Sequence, residues 1–181
     1  MDQSEIQELI DRSKHGDTKA FGLLVIEYQP LVFRLAFRLL GNENKAEDAT
    51  QDIFIKVWLQ INKYKPQYQF STWIYKVTAN LCYDRLRSME YTLETDVNSC
   101  PTWVSSENIE AEIINKELSE LILYFTKALS PKQKLVFTLN DIEGLETAEI
   151  TAITGLPPEK IKSNLYLARK SIREKLISIT G

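Results

Sequence analysis

The sequence predicts an all-α protein with two helical domains joined by a flexible linker, the C-terminal domain being a helix-turn-helix. Three observations support this: apolar residues recur at helical spacing along most of the chain, the alternation and hairpin dipeptides typical of strands are missing, and residues 91–106 break the periodicity. That stretch carries Pro101 among several Ser, Thr and Asn residues, which is typical of a linker. We therefore expect an N-terminal domain at 1–90 and a C-terminal domain at 107–181.

Regular apolar spacing gives the expected helices in order. Before the linker they lie near residues 4–14, 18–40, 44–62 and 70–90. After it they lie near 107–128, 131–141, 147–154 and 158–178. The linker composition is compatible both with domains that pack together and with domains that move independently.

The composition excludes several classes of protein. With 44% hydrophobic and 26% charged residues, the chain of 181 residues is typical of a globular protein. Its first residues are acidic rather than basic, and we find no uncharged apolar run of about 18 residues, so we expect a cytoplasmic protein. Cys82, Cys100 and the single His15 cannot form a zinc cluster, and the glycines form no phosphate loop. We expect no metal, no cofactor and no enzymatic activity.

Charge is distributed unevenly along the chain, although its net value is only -3. Residues 62–87 hold five basic residues and one acid, a net charge of +4. Residues 90–120 hold eight acids and one lysine, a net charge of -7, and residues 156–181 hold six basic residues and two acids, a net charge of +4. Two basic segments around an acidic middle indicate contact with nucleic acid at two separated places.

The helix expected near 44–62 has two distinct faces. Its core stripe comprises Ala46, Ala49, Ile53 and Val57, extended by Phe54 and Ile61. The opposite face carries Asp48, Asp52, Ile55 and Leu59. Aliphatic side chains among acids on an outer face favour a protein contact. Isolated exposed aliphatics are also ordinary on protein surfaces, so that alternative stays open.

The next helix and the loop before it combine basic and aromatic residues. Its core stripe is Phe70, Ile74, Val77 and Leu81. The other side carries Thr72, Lys76, Asn80, Tyr83 and Arg87, and the loop adds Lys63, Tyr64, Lys65 and Tyr68. Cations for phosphates, flat rings for unstacked bases and amides for base edges are what single-stranded nucleic acid requires. The alternative is a solvated helix face with tyrosines at its margin.

The C-terminal segment has the layout of a helix-turn-helix. A short helix, TAEITAIT, is followed by Gly155 at the turn and by Pro158 in the first turn of a longer helix. The core stripe of the longer helix is Ile161, Leu165, Ala168, Ile172 and Leu176. A neighbouring face carries Lys162, Tyr166, Arg169 and Arg173, with Lys170 beside them, which is typical of a helix that enters the major groove. A terminal amphipathic helix with a solvated basic face is the alternative.

Three segments, taken in order, resemble the extracytoplasmic-function (ECF) sigma factors of the sigma-70 family. GDTKAFGLLVIEYQPLVFRLAFRLLGN with AEDATQDIFIKVW is similar to the first conserved block and the polymerase-binding helix, and FSTWIYKVTANLCYDRLR is similar to the segment that melts and reads the -10 element. LSPKQKLVFTLNDIEGLETAEITAITGLPPEKIKSNLYLARKSIREKL is similar to the domain that reads the -35 element. The resemblance covers roughly residues 16–88 and 129–176.

The resemblance implies an alternative sigma factor that binds core RNA polymerase and directs promoter-specific transcription initiation. The implied polymerase-binding residues are Asp48, Gln51, Asp52, Ile55, Trp58 and Leu59. The residues implied for the -10 element are Lys63, Tyr64, Lys65, Tyr68, Trp73, Lys76, Asn80, Tyr83 and Arg87. The residues implied for the -35 element are Lys162, Ser163, Asn164, Tyr166, Arg169, Lys170 and Arg173. A membrane-bound anti-sigma factor is implied as a further partner.

The chain departs from the family pattern near Asn164 and Leu167, which are uncharged where members often carry basic residues. The bases read and the phosphate contribution to affinity are therefore open. Two other functions compete with the sigma-factor interpretation: a regulator that uses the helix-turn-helix alone, and an adaptor that uses only the face around Asp48. The acidic segment at 90–120 is either a mimic of nucleic acid within the polymerase or a solvated tether.

Overall fold

The protein is described by a computed structural model that covers residues 1–93 and 120–180. The first range contains α1 (Gln3–Lys14), α2 (Thr18–Leu40), α3 (Glu43–Gln60), a 3-10 turn (Ile61–Lys63) and α4 (Phe70–Leu93). The second contains α5 (120–126), α6 (Pro131–Phe137), a π turn (Thr138–Ile142), α7 (Thr147–Thr154) and α8 (Pro158–Thr180). The described residues contain no strand, which confirms the all-α prediction. Residues 94–119, which hold most of the expected linker and acidic segment, lie outside the description.

Side-chain caps explain where the N-terminal helices begin. Asp2 and Glu5 form a reciprocal capping box at α1, and the Asp17 carboxylate accepts from backbone N–H groups at the start of α2. Gly41 ends α2 in the left-handed region at φ 68°, and Asn42 then caps α3. These signals leave connections of three residues between α1 and α2 and two residues between α2 and α3, so neighbouring helices fold back on one another.

Helix α2 is the centre of the N-terminal part and contacts α1, α3 and α4. Its inner face is buried through Leu24, Val32, Leu35 and Leu39, each at most 1% exposed. Among the described helices, α2 alone has the length and hydropathy of a membrane span, a criterion that core helices of globular proteins also meet. Packing against three helices accounts for its buried face, whereas Leu23 and Ile26 on its other side are 50% and 70% exposed.

Helix α4 is buried more widely than one stripe. The expected stripe is confirmed for Phe70, Ile74 and Val77, but Ala79 and Cys82 are buried as well. The reason is that α4 contacts α2, α3, α6 and α7, whereas a single stripe serves a helix with neighbours on one side. Burial raises the pKa of the Cys82 thiol to about 12, so this cysteine stays protonated and unreactive.

The C-terminal part has the predicted helix-turn-helix. Gly155 turns the chain between α7 and α8 at φ 72°, and Ile150, Ile153 and Ile161 form a core that is at most 1% exposed. The predicted stripe of α8 is wrong at its end, since Leu176 is 43% exposed. Helix α7 has 8 residues and α8 has 23, so the last turns of α8 extend past the core of the unit.

Helix α6 passes directly into the π turn, which gives way to Gly144 at φ 74°. The turn buries Leu139 and leaves Asp141 partly exposed, and the side chain of Glu143, the next residue after the turn, is only 3% exposed. Both acids take part in ion pairs described below.

The two parts of the chain pack together. Helix α4 contacts α6 and α7, and the buried apolar residues of both parts form one continuous cluster. Of the two arrangements that the sequence leaves open, the structure therefore has the packed one.

Candidate functional site

The outer side of α3 presents acids and aliphatic side chains together. Ile55 is 58% exposed and Leu59 is 73% exposed, beside the exposed Asp48, Gln51 and Asp52. The predicted core stripe on the opposite side is buried, so the helix rotation inferred from the sequence is confirmed. We call these exposed residues together with Trp58 the α3 face.

Two contacts hold the α3 face in place. Asp52 forms an ion pair with Arg85 of α4, and Arg85 also donates to the carbonyl of Lys45 over 3.3 Å. The half-buried ring of Trp58 lies 4.8 Å from that of Phe21 on α2, measured between centroids. The face is thus a rigid surface on packed helices, and such surfaces bind partners at low entropic cost.

A second surface runs from the loop at 63–69 along α4. Its exposed members are Lys63, Lys65, Tyr68, Lys76, Asn80 and Arg87. Tyr83 is half-buried, and the Arg87 guanidinium lies 5.9 Å from its ring centroid. Tyr68, at 60% exposed, presents a ring to solvent. Cations, an amide and an aromatic ring are therefore brought together on one side of α4.

The expectation that Tyr64 presents its ring to a nucleobase is wrong. Tyr64 is 6% exposed, and its ring centroid lies 5.1 Å from that of Phe70 and 5.7 Å from that of Trp73. Its hydroxyl donates to the Tyr68 carbonyl over 2.8 Å, which fixes the loop. Burial, and next the charge of Asp11, raise the pKa of Tyr64. Tyr64 is a core residue, and Trp73 is half-buried in the same aromatic cluster.

A cleft of about 390 Å³ opens beside this cluster. One wall is the loop residues Tyr68 and Gln69, and the other is α1 through Gln3 and Gln7. No role for α1 could be predicted from the sequence, because an amphipathic N-terminal helix gives no signal of which loop it will face.

A third surface lies on the outer side of α8. Lys162, Ser163, Tyr166, Lys170 and Arg173 are exposed there, Tyr166 at 68%. The half-buried Asn164 behaves differently, because its side-chain amide donates to the Lys160 carbonyl of its own helix over 2.7 Å.

Arg169 is engaged within the protein. Its Nε and Nη2 atoms donate to the two carboxylate oxygens of Asp141, and Nη2 also donates to Asn140 over 3.1 Å. The hydrogen bond to Asp141 raises the pKa of Arg169, and the smaller effect of burial opposes it. This side chain is therefore less available to DNA than the sequence implies.

An ion cluster that the sequence did not predict lies between the two parts of the chain. The Glu143 side chain, 3% exposed, forms ion pairs with Arg34 and Arg38 of α2, the Arg34 Nη2 atom lying 3.3 Å from Oε2. The Tyr75 hydroxyl of α4 donates to the same Oε2 over 3.0 Å. Glu143 stands 105 residues from Arg38 in sequence, so no local pattern joins them. The one available signal was the pair of arginines one turn apart on the apolar α2.

Burial and charge shape the protonation of this cluster. Burial, then the charge of Glu143, raise the pKa of Tyr75 to about 12, so its hydroxyl remains a donor at neutral pH. Burial acts to lower the pKa of Arg34, but the Glu143 carboxylate offsets this and the net shift is upward. The described residues hold no group of three or more His, Cys, Asp or Glu suited to a metal ion.

Solved structures share this fold. The structure of CnrH in complex with the cytosolic domain of CnrY matches with a TM-score of 0.67 at 19% identity, covering 96% of this chain and 98% of that one. The sigma factor RpoE from Bartonella quintana, solved with the anti-sigma factor NepR, matches with a TM-score of 0.63 at 21% identity, covering 87% of this chain and 97% of that one.

Sequence comparisons identify the family. Residues 24–90 match the model of sigma-70 region 2, and residues 119–172 match that of sigma-70 region 4. The chain is 30% identical to the ECF RNA polymerase sigma factor SigW of Bacillus subtilis, covering 94% of this chain and 96% of SigW. It is 28% identical to the ECF RNA polymerase sigma-E factor of Escherichia coli K12, covering 94% and 93% of the two chains. The chain belongs to the extracytoplasmic-function RNA polymerase sigma factors, alternative sigma factors that bind core RNA polymerase and direct promoter-specific transcription initiation.

Proposed function

We propose that the α3 face binds core RNA polymerase. The observation that carries this proposal is the exposure of Ile55 and Leu59, at 58% and 73%, beside Asp48 and Asp52 on a helix whose opposite side is fully packed. Two large aliphatics bury apolar area on binding, and the acids give the contact a charge preference for a basic partner.

The second surface holds the melted -10 element. Lys63, Lys65, Lys76 and Arg87 supply charge for phosphates, and Tyr68 supplies a stacking platform worth about 1–3 kcal/mol per base. The cleft beside Tyr68 offers room for an unstacked base between the loop and α1. Trp73 and Tyr83 are half-buried, and Tyr64, at 6% exposed, lines the cleft without presenting a free stacking face.

The third surface reads the -35 element. Helix α8 presents Lys162, Ser163, Tyr166, Lys170 and Arg173 on one exposed side after the helix-turn-helix turn, the geometry in which a recognition helix enters the major groove. Asn164 and Arg169 are already hydrogen-bonded within the protein, so we assign them a role in supporting the surface.

Function requires the two parts of the chain to separate. We place the domains at 1–90 and 107–181 with a linker at 91–106, so each DNA surface lies on its own unit. Elements centred 10 and 35 base pairs upstream lie roughly 85 Å apart along B-DNA, at 3.4 Å per base pair. Helix α4, with 24 residues, is only about 36 Å long. Packed domains cannot span that distance, and linked domains gain affinity once both are bound.

A membrane-bound anti-sigma factor is the proposed regulatory partner. RpoE of Bartonella quintana was solved with an anti-sigma factor and CnrH with the cytosolic domain of CnrY, which supports a partner of this kind for a chain of the same fold. The protein contributes binding energy and no covalent chemistry. The polymerase, with which it acts in the cytoplasm, carries out every bond-forming step of transcription. This assignment explains why both basic surfaces and the α3 face occur in one chain.

The test is reconstitution with bacterial core RNA polymerase. We expect the wild-type protein to bind core enzyme and to confer promoter-dependent transcription, and Asp52→Arg to abolish binding because it reverses charge at the centre of the α3 face. Asp52 also pairs with Arg85, so Arg85→Gln is the matched control that breaks the same pair without altering the acids.

A second control is Asp11→Arg, an equal charge reversal on the exposed side of α1. Both controls should bind core enzyme normally. A wild-type protein that ignores core polymerase but binds duplex DNA alone would replace this proposal with a conventional helix-turn-helix regulator.

A further inference from the structure

The cluster around Glu143 has donors on one side and the acceptor on the other. Arg34 and Arg38 lie one turn apart on α2, and the Tyr75 hydroxyl approaches from α4. All three belong to the N-terminal part, whereas Glu143 belongs to the C-terminal part. The N-terminal part therefore contains a preformed anion site, and a carboxylate from the other part fills it.

Separation of the two parts leaves this site without an anion. Two arginines at i and i+4 on one helix then repel each other, and the Tyr75 hydroxyl loses its acceptor. The side chains of Arg34 and Arg38 stay partly accessible while Glu143 is seated, at 47% and 26% exposed, but the Glu143 side chain is only 3% exposed. The position of the anion therefore opens to solvent when the C-terminal part leaves. Another anion can therefore enter as Glu143 leaves.

We propose that Arg34, Arg38 and Tyr75 form a binding site for a backbone phosphate of promoter DNA, which Glu143 occupies as an internal substitute while the domains are packed. Guanidinium groups match phosphate oxygens through paired N–H donors, and a hydroxyl adds a third donor. Promoter DNA is the polyanion that a sigma factor meets, and α4 carries both Tyr75 and the exposed Lys76 of the second surface. This inference rests on the proposed -10 role of α4.

The consequence is a competition between domain packing and DNA binding. While Glu143 is seated, the phosphate site is filled, and when DNA takes the site the C-terminal part loses one of its anchors. Binding of the -10 element thus favours the separation that the -35 contact requires. No shift of protonation is involved, because the exchange is of one anion for another.

The experiment compares the two halves of the cluster in reconstituted holoenzyme. Glu143→Gln, Arg38→Gln and the double variant all break the same contact. If the cluster only holds the two parts of the chain together, all three variants should have the same effect on DNA binding. The phosphate site predicts an asymmetry: Glu143→Gln binds a promoter fork as tightly as wild type or more tightly, and Arg38→Gln binds it about ten-fold less tightly, as does the double variant. The readout is fluorescence anisotropy over a salt series, where Arg38→Gln should reduce the slope of log K against log salt by about 0.7–0.9, equivalent to one phosphate.

Two further variants test whether the change in DNA affinity comes from this cluster. Arg12→Gln removes an arginine paired with Asp17 on α1 and should change neither affinity nor slope. Tyr75→Phe keeps the ring and removes only the hydroxyl, so it should weaken fork binding while retaining the thermal stability of wild type within a few degrees.

Three outcomes would overturn the inference. One is an equal effect of the same sign for Glu143→Gln and Arg38→Gln, and another is an unchanged salt slope for Arg38→Gln. The third is that Arg38→Gln weakens binding to core polymerase in the absence of DNA as much as it weakens binding to the fork. This result would mean that the site binds an acidic protein surface. In each case the proposed function still stands if the wild-type protein confers promoter-dependent transcription. If the wild-type protein confers none, the proposed function itself is refuted.

Discussion

Arg169 on α8 and Asp141 in the π turn form a bidentate ion pair, with Nε–Oδ2 at 2.9 Å and Nη2–Oδ1 at 2.5 Å. Glu143 directly follows the turn that holds this arginine, and its side chain is buried against the N-terminal part. One short segment therefore fixes both a side chain of the DNA-reading helix and the packing of the domains.

Replacing Asp141 with Asn should release Arg169. The pair is half-exposed, with the Arg169 side chain at 54%, so we expect the free energy of unfolding to fall by no more than about 1 kcal/mol. Affinity for duplex DNA containing the -35 element should rise several-fold, since a guanidinium becomes available and a repelling charge is lost. Anisotropy with a short -35 duplex measures this.

Glu174→Gln is the matched control for net charge, because Glu174 lies on α8 and pairs only loosely with Lys170 at 4.0 Å. If the two variants raise duplex affinity equally, charge alone accounts for the change and Arg169 has no separate contribution.

Lys134 should make stability rise with pH. It is 9% exposed, and burial lowers its pKa to about 8 from an ordinary value of 10.5. Below pH 8 both folded and unfolded chains carry the proton and the burial cost is complete. Between pH 8 and 10.5 the unfolded chain binds more protons, so stability increases, by roughly 3 kcal/mol in total from this residue.

Lys134→Met should therefore be more stable than wild type at pH 7, by up to about 3 kcal/mol, with the difference shrinking towards pH 10. Denaturant unfolding at pH 7 and 9.5 measures it, and Lys132→Met, at an exposed position of α6, should change little. A Lys134→Met protein that is less stable than wild type at pH 7 would show that the ammonium has compensating interactions.

Periodicity predicted the features that depend on one helix and its nearest neighbour. The rotation of α3 follows from Ala46, Ile53 and Val57, and the helix-turn-helix follows from Gly155 and Pro158, because apolar stripes and turn residues are local signals. The three exposed surfaces could be located in this way. What each surface binds came from the resemblance, since exposure alone does not name a partner.

Features that depend on how distant parts meet could not be predicted. Tyr64 lies in a loop of polar residues, and only the aromatic neighbours Phe70 and Trp73 in the folded chain show that its ring is buried. Glu143 precedes a glycine in a turn, where an acid is ordinarily solvated, and its burial requires α2 and α4 to approach it. Tertiary packing overrides local pattern at both positions.

Tyr166 and Lys162 on the exposed side of α8 should contribute differently to DNA binding. Tyr166→Ala should lower promoter-specific affinity by about ten-fold without changing stability, because the ring is 68% exposed. Lys162→Gln should weaken binding to all duplexes similarly and lower the salt slope by about 1. Ile26→Ala, at a 70% exposed position of α2, is the control and should leave both values unchanged. Equal losses on specific and unrelated duplexes for Tyr166→Ala would reduce its role to non-specific contact.

The two loop tyrosines, Tyr68 and Tyr64, should respond differently to the same substitution. Tyr68→Leu should lower affinity for a promoter fork about ten-fold or more, because a base loses its stacking platform, while the unfolding free energy stays the same. Tyr64→Leu should act mainly on stability: it removes a buried ring and the 2.8 Å hydrogen bond to the Tyr68 carbonyl, at a cost of about 2 kcal/mol. At a temperature where this variant is folded, its loss of fork affinity should be smaller than that of Tyr68→Leu. Anisotropy and denaturant unfolding of both variants provide the comparison. A Tyr64→Leu protein that is fully stable but defective in fork binding would show that the Tyr64 ring contacts DNA. A Tyr68→Leu protein with normal fork affinity would show that stacking on Tyr68 does not contribute.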